Sequence, residues 1–588
     1  MSGLVKSKET GTFMGKEPLR FRDCISIVLC GQAGMGIQTV ESLLTRIFKL
    51  AGYNVFATKE YMSRIRGGAN STEIRVSSKP VCAFVNRIDI LIPLDKEAVN
   101  HLAERLTPQT VILADITDLG EGFDQSRWNY LDVGFTKIAS DIGNKIYSNI
   151  VAVGTIAALF KVGDELINNC ISNRFASKSD KIVNENIQAA HQGYKVGSEL
   201  VNSGKISIDI QPDSSVKEQI LLSGTEAVGL GAIAGGCNFI ASYPMSPSTG
   251  VLTFLAQHSA DFGLIVEQAE DEIAAINMAI GAWYAGARGM ATTSGGGFAL
   301  MTEGISLAGM LETPVVVHLA QRPGPATGLP TRTEQGDLEL ALYAGHGEFP
   351  RILLAPGKVD DAFHLTQKAF DLADKYQVPV IILTDHYFVD SYYNIANLNL
   401  TDEKNEKHIH ETETNYRRYE LTEDGISLRG IPGYGKGLVC VDSDEHDQAG
   451  HITEDLDLRV RMVDKRLGKL ESLKAEILSP EFWPYENYKN LVICWGSTYH
   501  IVKEALVQLG RDDTSMLHYK QVYPLHPDTA GYLNKAAKTV VVESNATSQF
   551  GKLIKLYTGI EINERILKYS GLSFAVEEVE ESLKKILD

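Results

Sequence analysis

Short, nearly unbroken apolar runs alternate with longer amphipathic segments along most of the chain, and this alternation predicts parallel sheets covered by helices. After a polar leader to about residue 21, ISIVLC predicts a buried strand, GQAGMG a tight turn and IQTVESLLTRIFKLAG an amphipathic helix. NVFATKE, DILIPL and TVILAD continue the series and give a first α/β domain over 22–205. A polar stretch, NSGKISIDIQPDSSVKEQ, sets a boundary near residue 212. GLIVEQ, GARGMATTS, TPVVVHLA, FPRILLAP and VPVIILTD then predict the buried strands of a second doubly wound domain over 213–395. Residues 396–485 are charged and weakly periodic, and predict a connecting segment of irregular structure with one late helix. NLVICWGST, SMLHYKQVYPL and TVVVESN supply strands for a third domain over 486–588. The expected fold class is α/β, with three doubly wound domains.

Composition narrows the functional classes. Fifty-six basic against 74 acidic residues leave a formal charge of −18, which argues against a general binder of nucleic acid or anionic membranes. With 44% hydrophobic and 22% charged residues the chain has the balance of a globular protein, not a disordered one. No run reaches the roughly 18 to 20 apolar residues of a membrane helix, and the first residues carry no secretory core, so a cytoplasmic location is expected. The seven cysteines are widely spaced and never form C-x-x-C. A disulfide framework, a zinc site or an iron–sulfur cluster within this chain is therefore not expected.

Chemistry concentrates where predicted strands end. Gly31-Gln32-Ala33-Gly34-Met35-Gly36 lies between a strand and a helix, where backbone N–H groups and the helix dipole favour an anion. Its G-x-x-G-x-G spacing differs from the dinucleotide fingerprint, and the glycines equally fit a purely structural turn. In SRIRGGANSTEIRVS, Arg64 and Arg66 form either a clamp for an anionic ligand or an inter-subunit ion-pair loop. Tyr243-Pro244-Met245-Ser246-Pro247-Ser248 is a stiffened loop that displays hydroxyls, or simply a proline-rich turn. Glu267, Glu270, Asp271 and Glu272 crowd the start of an alanine-rich helix. Helix-end electrostatics accounts for acids there, but mutual repulsion also lets the least solvated one keep a proton near neutral pH. In QRPGPATGLPT, Arg322 can present its planar fork to a carboxylate, with Thr331 adding a hydroxyl; an internal ion pair is the alternative. Gly496-Ser497-Thr498 and Glu543-Ser544-Asn545 are expected to be structural, and His446 and His451 to lie in a solvated loop.

The order of these motifs resembles the alpha subunit of the 2-oxoacid:ferredoxin oxidoreductases, in the form with a gamma domain fused ahead of the alpha domains. GQAGMGI and SRIRGGANSTEIRVS resemble the gamma part, which is Rossmann-like. SGTEAVGLGAIAGG, YPMSPST, EDEIAA, TTSGGGFALMTEG and QRPGPATGLPTRTEQGDL resemble the thiamine-pyrimidine-binding part. LTEDGISLRGIPGYG and DEHDQAGHITED resemble the connecting segment, and WGST and VESNATSQFGKL the transketolase C-terminal-like domain. The resemblance covers nearly the whole chain.

It implies thiamine diphosphate shared with a beta subunit that carries the diphosphate, the Mg2+ and an iron–sulfur cluster, with coenzyme A as cosubstrate and ferredoxin as electron acceptor. The family's pyrimidine-contacting glutamate falls on Glu272, which is catalytic and cofactor-binding by that match. Its carboxyl shares a proton with the ring nitrogen and so favours the tautomer that removes the thiazolium proton. Substrate-binding roles fall on Ser246, Arg322 and Thr331, and coenzyme A contacts on Gly34, Gly36 and Arg66. Three positions depart from the family pattern: Ser246 stands where threonine is common, TTSGGGF replaces T-S-G-P-G-F, and GQAGMG replaces G-Q-G-G-Q-G. The implied reaction is oxidative decarboxylation of a 2-oxoacid to acyl-CoA, CO2 and reduced ferredoxin, by a dimer of alpha–beta pairs. The QRPGPATGLPT loop favours 2-oxoglutarate, with pyruvate or a branched-chain 2-oxoacid open. A non-catalytic scaffold subunit and a nicotinamide-dependent dehydrogenase are the rival classes.

Overall fold

Most valine-, isoleucine- and leucine-rich runs form strands with side chains buried on both faces, as sheets covered by helices require. GLIVEQ, expected to be buried, instead forms the strand Ile265–Gln268 at the end of its sheet, with Ile265 62% exposed. The computed structural model describes residues 19–32, 35–62, 68–119, 123–124, 127–400, 405–562 and 564–588. Contacts divide the chain into two compact units, the first made of 1–55, 71–81 and 87–218, the second of 56–70, 82–86 and 219–588. These units do not follow the sequence segments one to one. Residues 56–70 and 82–86, inside the expected 22–205 domain, group with the second unit, and 213–395, 396–485 and 486–588 fall largely into one unit.

In the first unit, Asn129–Asp132, Val111–Ala114, Ile90–Pro93 and Cys24–Gln32 lie side by side as parallel strands. The helix Ser148–Leu159 is buried along almost its entire length against Asp180–Asn202. Glycine makes that approach feasible: a Cβ at Gly193 would stand 1.9 Å from the Val151 carbonyl oxygen, and one at Gly154 2.0 Å from that of Ala190.

The second unit contains a seven-stranded sheet in the order Ile265–Gln268, Phe239–Ser242, Gly289–Thr293, Val315–Gln321, Pro379–Asp385, Ile352–Leu354, Gln521–Tyr523. The first six run parallel and the last antiparallel. A five-stranded sheet follows the order Glu481–Trp483, Thr514–Tyr519, Asn490–Trp495, Lys538–Glu543, Glu564–Leu567, with only Glu481–Trp483 antiparallel. The single strand expected over SMLHYKQVYPL is therefore two, one in each sheet. A strand without a sequence counterpart, Tyr392–Ile395, pairs antiparallel with Ile220–Ser223 and with Phe56 and Ala57.

The connecting segment folds onto this unit through buried charge. Its helix Leu456–Leu473 carries Lys465 and Lys469, whose ammonium groups lie 2.7 and 2.5 Å from Glu312. Arg418 Nη2 donates to the Glu312 carbonyl oxygen at 2.6 Å. Nearby, Asp374 accepts from Arg288 at 3.1 Å and Arg429 at 2.5 Å. Here one expectation fails: His446 is fully buried, its ring 3.8 Å from that of Tyr419, because the segment coils back on itself, whereas His451 is exposed.

Among the described residues no helix is long and apolar enough to cross a membrane.

Candidate active site

Four adjacent parallel strands of the seven-stranded sheet deliver loops at their carboxyl ends, the usual ligand crevice of an open α/β sheet. These are the segments after Ser242, Gln268, Thr293 and Gln321.

After Gln268 the chain turns into the helix Glu272–Tyr284, which Asp271 caps by accepting the Ala274 N–H at 2.7 Å. Glu272 occupies the first helical position. Unlike exposed Glu267, Glu270 and Asp271, it is only 3% exposed. Its Oε1 is sealed from solvent with no hydrogen-bond partner, an expensive state for a carboxyl without a ligand to meet. Burial raises its pKa, with Asp271 adding to the push while the backbone N–H and Arg322 oppose it. The upward shift thus comes from desolvation first, and crowding is secondary.

The next strand ends at Thr293, and Ser294 leads into the helix Gly295–Leu300. Glycine lets this turn press on the carboxyls beside it. A Cβ at Gly297 would lie 2.2 Å from Thr293 Oγ1 and 2.5 Å from Glu272 Oε1, and one at Gly295 would lie 2.4 Å from Asp337 Oδ1.

Arg322 begins the loop after Val315–Gln321 and is 9% exposed. Its Nη1 donates to the Ser246 carbonyl oxygen at 2.6 Å, which brings two expected site residues together. Burial lowers its pKa, and the charges of Asp337 and Glu272 counteract this. The Ser246 contact is made by the backbone. The hydroxyl of neighbouring Ser248, fully buried, turns inward to the Met245 carbonyl oxygen at 2.7 Å.

Thr331 is half-buried, and among the described residues no recorded contact joins it to Arg322. Its neighbours fix the loop: Arg332 pairs with Glu60, and Thr333 Oγ1 donates to Asp385 Oδ1 at 3.1 Å. Gln335 Nε2 donates to the Trp495 carbonyl oxygen at 2.9 Å and its Oε1 accepts the Ser544 N–H at 2.9 Å. The polar strand ends of the five-stranded sheet thereby support the loop. Ser497 Oγ donates to Asp385, while Glu543 accepts the Phe550 and Gly551 N–H groups at 2.9 and 3.0 Å.

Asp337, within QRPGPATGLPTRTEQGDL but not singled out by sequence, also belongs to the site, through Gly295 and Arg322. Of the expected coenzyme A contacts, Gly34 and Arg66 lie outside the described residues. Gly36 precedes the helix Ile37–Ala51 with φ 76°, a left-handed conformation suited to glycine, and a Cβ there would meet Asn149 Nδ2 at 2.7 Å. Among the described residues no group of three His, Cys, Asp or Glu side chains is arranged to hold a metal ion.

Family models match in two places. Residues 230–465 match "Pyruvate flavodoxin/ferredoxin oxidoreductase, thiamine diP-bdg", and 26–196 match "Pyruvate ferredoxin/flavodoxin oxidoreductase". The 2-oxoacid:ferredoxin oxidoreductase subunit alpha of Sulfolobus sp is 32% identical, covering 96% of this chain and 97% of its own. The 2-oxoglutarate synthase subunit KorA of Archaeoglobus fulgidus is 34% identical over 58% of this chain and 90% of its own. A solved structure, 2-oxoglutarate:ferredoxin oxidoreductase from Magnetococcus marinus with 2-oxoglutarate, coenzyme A and succinyl-CoA bound, superposes with a TM-score of 0.89 at 30% identity, covering 96% of this chain and 100% of that one. The fold is that of an α/β oxidoreductase subunit whose residues 230–465 match a thiamine diphosphate-binding family model. The chain belongs to the 2-oxoacid:ferredoxin oxidoreductase family, among its alpha subunits.

Proposed function

We propose that this chain is the fused gamma–alpha subunit of an enzyme that oxidatively decarboxylates 2-oxoglutarate with coenzyme A to acyl-CoA, CO2 and reduced ferredoxin. The observation that carries the reading is the Glu272 carboxyl: buried at a helix start, without a partner on Oε1, and pressed by Gly297. Those features fit the aminopyrimidine of thiamine diphosphate, whose ring nitrogen supplies the missing partner. When bound, that cofactor supplies the electron sink for loss of CO2.

The chain's own residues account for the rest of its share. Glu272, its pKa raised by burial, would hold the ring nitrogen at Oε1 through a shared proton. Arg322, anchored on the Ser246 carbonyl, presents its remaining N–H groups to the substrate carboxylate. Ser246 and Thr331 add hydroxyls at the edge of that site. The helix Gly295–Leu300 packs closely on both carboxyls, with no room for a Cβ at Gly295 or Gly297. Gly34, Gly36 and Arg66 are assigned to coenzyme A. A beta subunit is assigned the diphosphate, Mg2+ and an iron–sulfur cluster, in a cytoplasmic dimer of alpha–beta pairs.

Preference for 2-oxoglutarate draws support from the QRPGPATGLPT loop and from the ligands of the Magnetococcus marinus enzyme. Co-purification with the beta subunit, followed by coenzyme A-dependent dye reduction across several 2-oxoacids, tests it. The expected result is a kcat/KM for 2-oxoglutarate at least tenfold above that for pyruvate or branched-chain 2-oxoacids, roughly what a pocket distinguishes by apolar contacts alone. Equal or reversed preference would overturn the substrate assignment. Reduction of NAD(P)+ without ferredoxin or dye would overturn the reaction class.

A further inference from the structure

The helix Leu338–Tyr343 begins immediately after Asp337, yet the Asp337 side chain does not cap it. Aspartate at that position ordinarily accepts an N–H of the first turn. Here the carboxyl lies against the Ser294–Gly297 turn, where a Cβ at Gly295 would come within 2.4 and 2.5 Å of its two oxygens. Oδ2 is sealed from solvent without a hydrogen-bond partner. The Asp337 N–H donates to Gln321 Oε1 at 3.0 Å, which ties it to the residue preceding Arg322. Of the charges acting on Arg322, that of Asp337 leads and that of Glu272 follows. The site therefore holds a second carboxyl, half-buried with one oxygen sealed, whose charge acts on the cation assigned to the substrate.

Resting on the assignment of Arg322 to the substrate carboxylate, we propose that Asp337 is a positioning residue for the 2-oxoacid. Its carboxylate offsets the Arg322 charge in the empty site, and it shifts toward the protonated form as the substrate carboxylate arrives, taking up a fraction of a proton from solvent near neutral pH. Two anions facing one buried guanidinium repel each other, and protonating Asp337 removes that repulsion.

The charged groups around Asp337 are few. Arg322 and Glu334 share its loop, and Glu272 faces it through Arg322. The Ser294–Gly297 turn contributes a hydroxyl and glycines but no titratable group. From the helix Gln549–Thr558, Gln549 bonds the Gly336 carbonyl, and Lys552 pairs with Glu339 at 3.1 Å. Burial and Glu334 push the Asp337 pKa up to about 7, against the pull of Arg322. The carboxyl is therefore neutral in mild acid and charged in mild base, so substrate affinity falls as pH rises through that range.

The test uses the complex reconstituted with its partner subunit, with KM for the preferred 2-oxoacid measured from about pH 6 to about pH 8.5. Wild-type KM is expected to rise roughly fivefold across that range, the size of one partly screened charge pair. D337N is expected to stay flat at the low-pH value. The inhibition constant of glutarate, which cannot react, follows the same pattern and separates binding from chemistry. A D337N profile with the wild-type slope, while R322A raises KM, overturns the role of Asp337 alone; an R322A with unchanged KM overturns the underlying Arg322 assignment. Should D337N not assemble, calorimetric titration of the wild-type complex with glutarate near pH 7 decides. Binding enthalpies that differ between phosphate and Tris buffers report the proton uptake, and equal enthalpies overturn it.

Discussion

Of four acids within six residues, only Glu272 is buried, and solvent exposure separates it from neighbours of identical chemistry. Sequence places the cluster at a helix start, but it cannot say which carboxyl the sheet edge covers. Arg322 shows the same balance in a cation, with burial working against its charge and Asp337 and Glu272 supporting it. Replacing it by alanine removes charge-assisted hydrogen bonds to a substrate carboxylate, and the KM for the 2-oxoacid is predicted to rise roughly 10- to 100-fold in steady-state assays. An unaltered KM would remove Arg322 from the substrate site. His446 marks the limit of reading residue by residue: acids flank it in sequence, yet its partner ring belongs to Tyr419 and only folding brings the two together. Burial lowers its pKa and keeps the imidazole neutral.

At the scale of elements, apolar runs located the parallel strands because buried strands need them regardless of context. They could not apportion QVY, since a three-residue strand carries too little pattern to show that it leaves the sheet of Thr514–Tyr519 for the neighbouring one. The segment TTSGGGF illustrates how glycines in one turn differ. Gly295 and Gly297 press on carboxyls, whereas a Cβ at Gly296 meets only the Ala326 carbonyl oxygen at an ordinary 3.5 Å. Gly296 also sits in the first turn of its helix, where a missing N–H costs little. Gly296→Pro, which restores the T-S-G-P-G-F pattern that TTSGGGF resembles, is therefore predicted to retain activity and gain up to about 1 kcal/mol of stability in denaturant titrations. Gly297→Ala pushes a methyl into Glu272 Oε1 and Thr293 Oγ1, and turnover is predicted to fall at least tenfold with the fold retained. Equal behaviour of the two variants in turnover would contradict this account of the turn.

Across the whole molecule, the connecting segment is charged in sequence yet buried in structure, and paired charge reconciles the two. Burial alone would raise the Glu312 pKa, but Lys469, Lys465 and Arg418 outweigh it and hold the carboxyl far below its usual range. Burial, with crowding by Lys465 and Arg418, brings the Lys469 pKa down to about 7 against the pull of Glu312. Removing the carboxylate strands buried cations, so Glu312→Gln is predicted to destabilise the chain by about 3–5 kcal/mol in urea titrations. Because the folded-state pKa is depressed, the stability Glu312 supplies is fully present above about pH 4.5 and is lost as pH falls below it. An acid-unfolding midpoint identical in wild type and Glu312→Gln would contradict that role.

The assembled complex offers the most direct test of the account. Its central claim is that the covered Glu272 carboxyl exchanges a proton with the thiamine ring. Glu272→Gln keeps the shape and removes the ionisable carboxyl proton. With subunit assembly verified by sedimentation, coenzyme A-dependent turnover is predicted to fall by roughly a hundredfold or more. Wild-type turnover in an intact Glu272→Gln complex would contradict it.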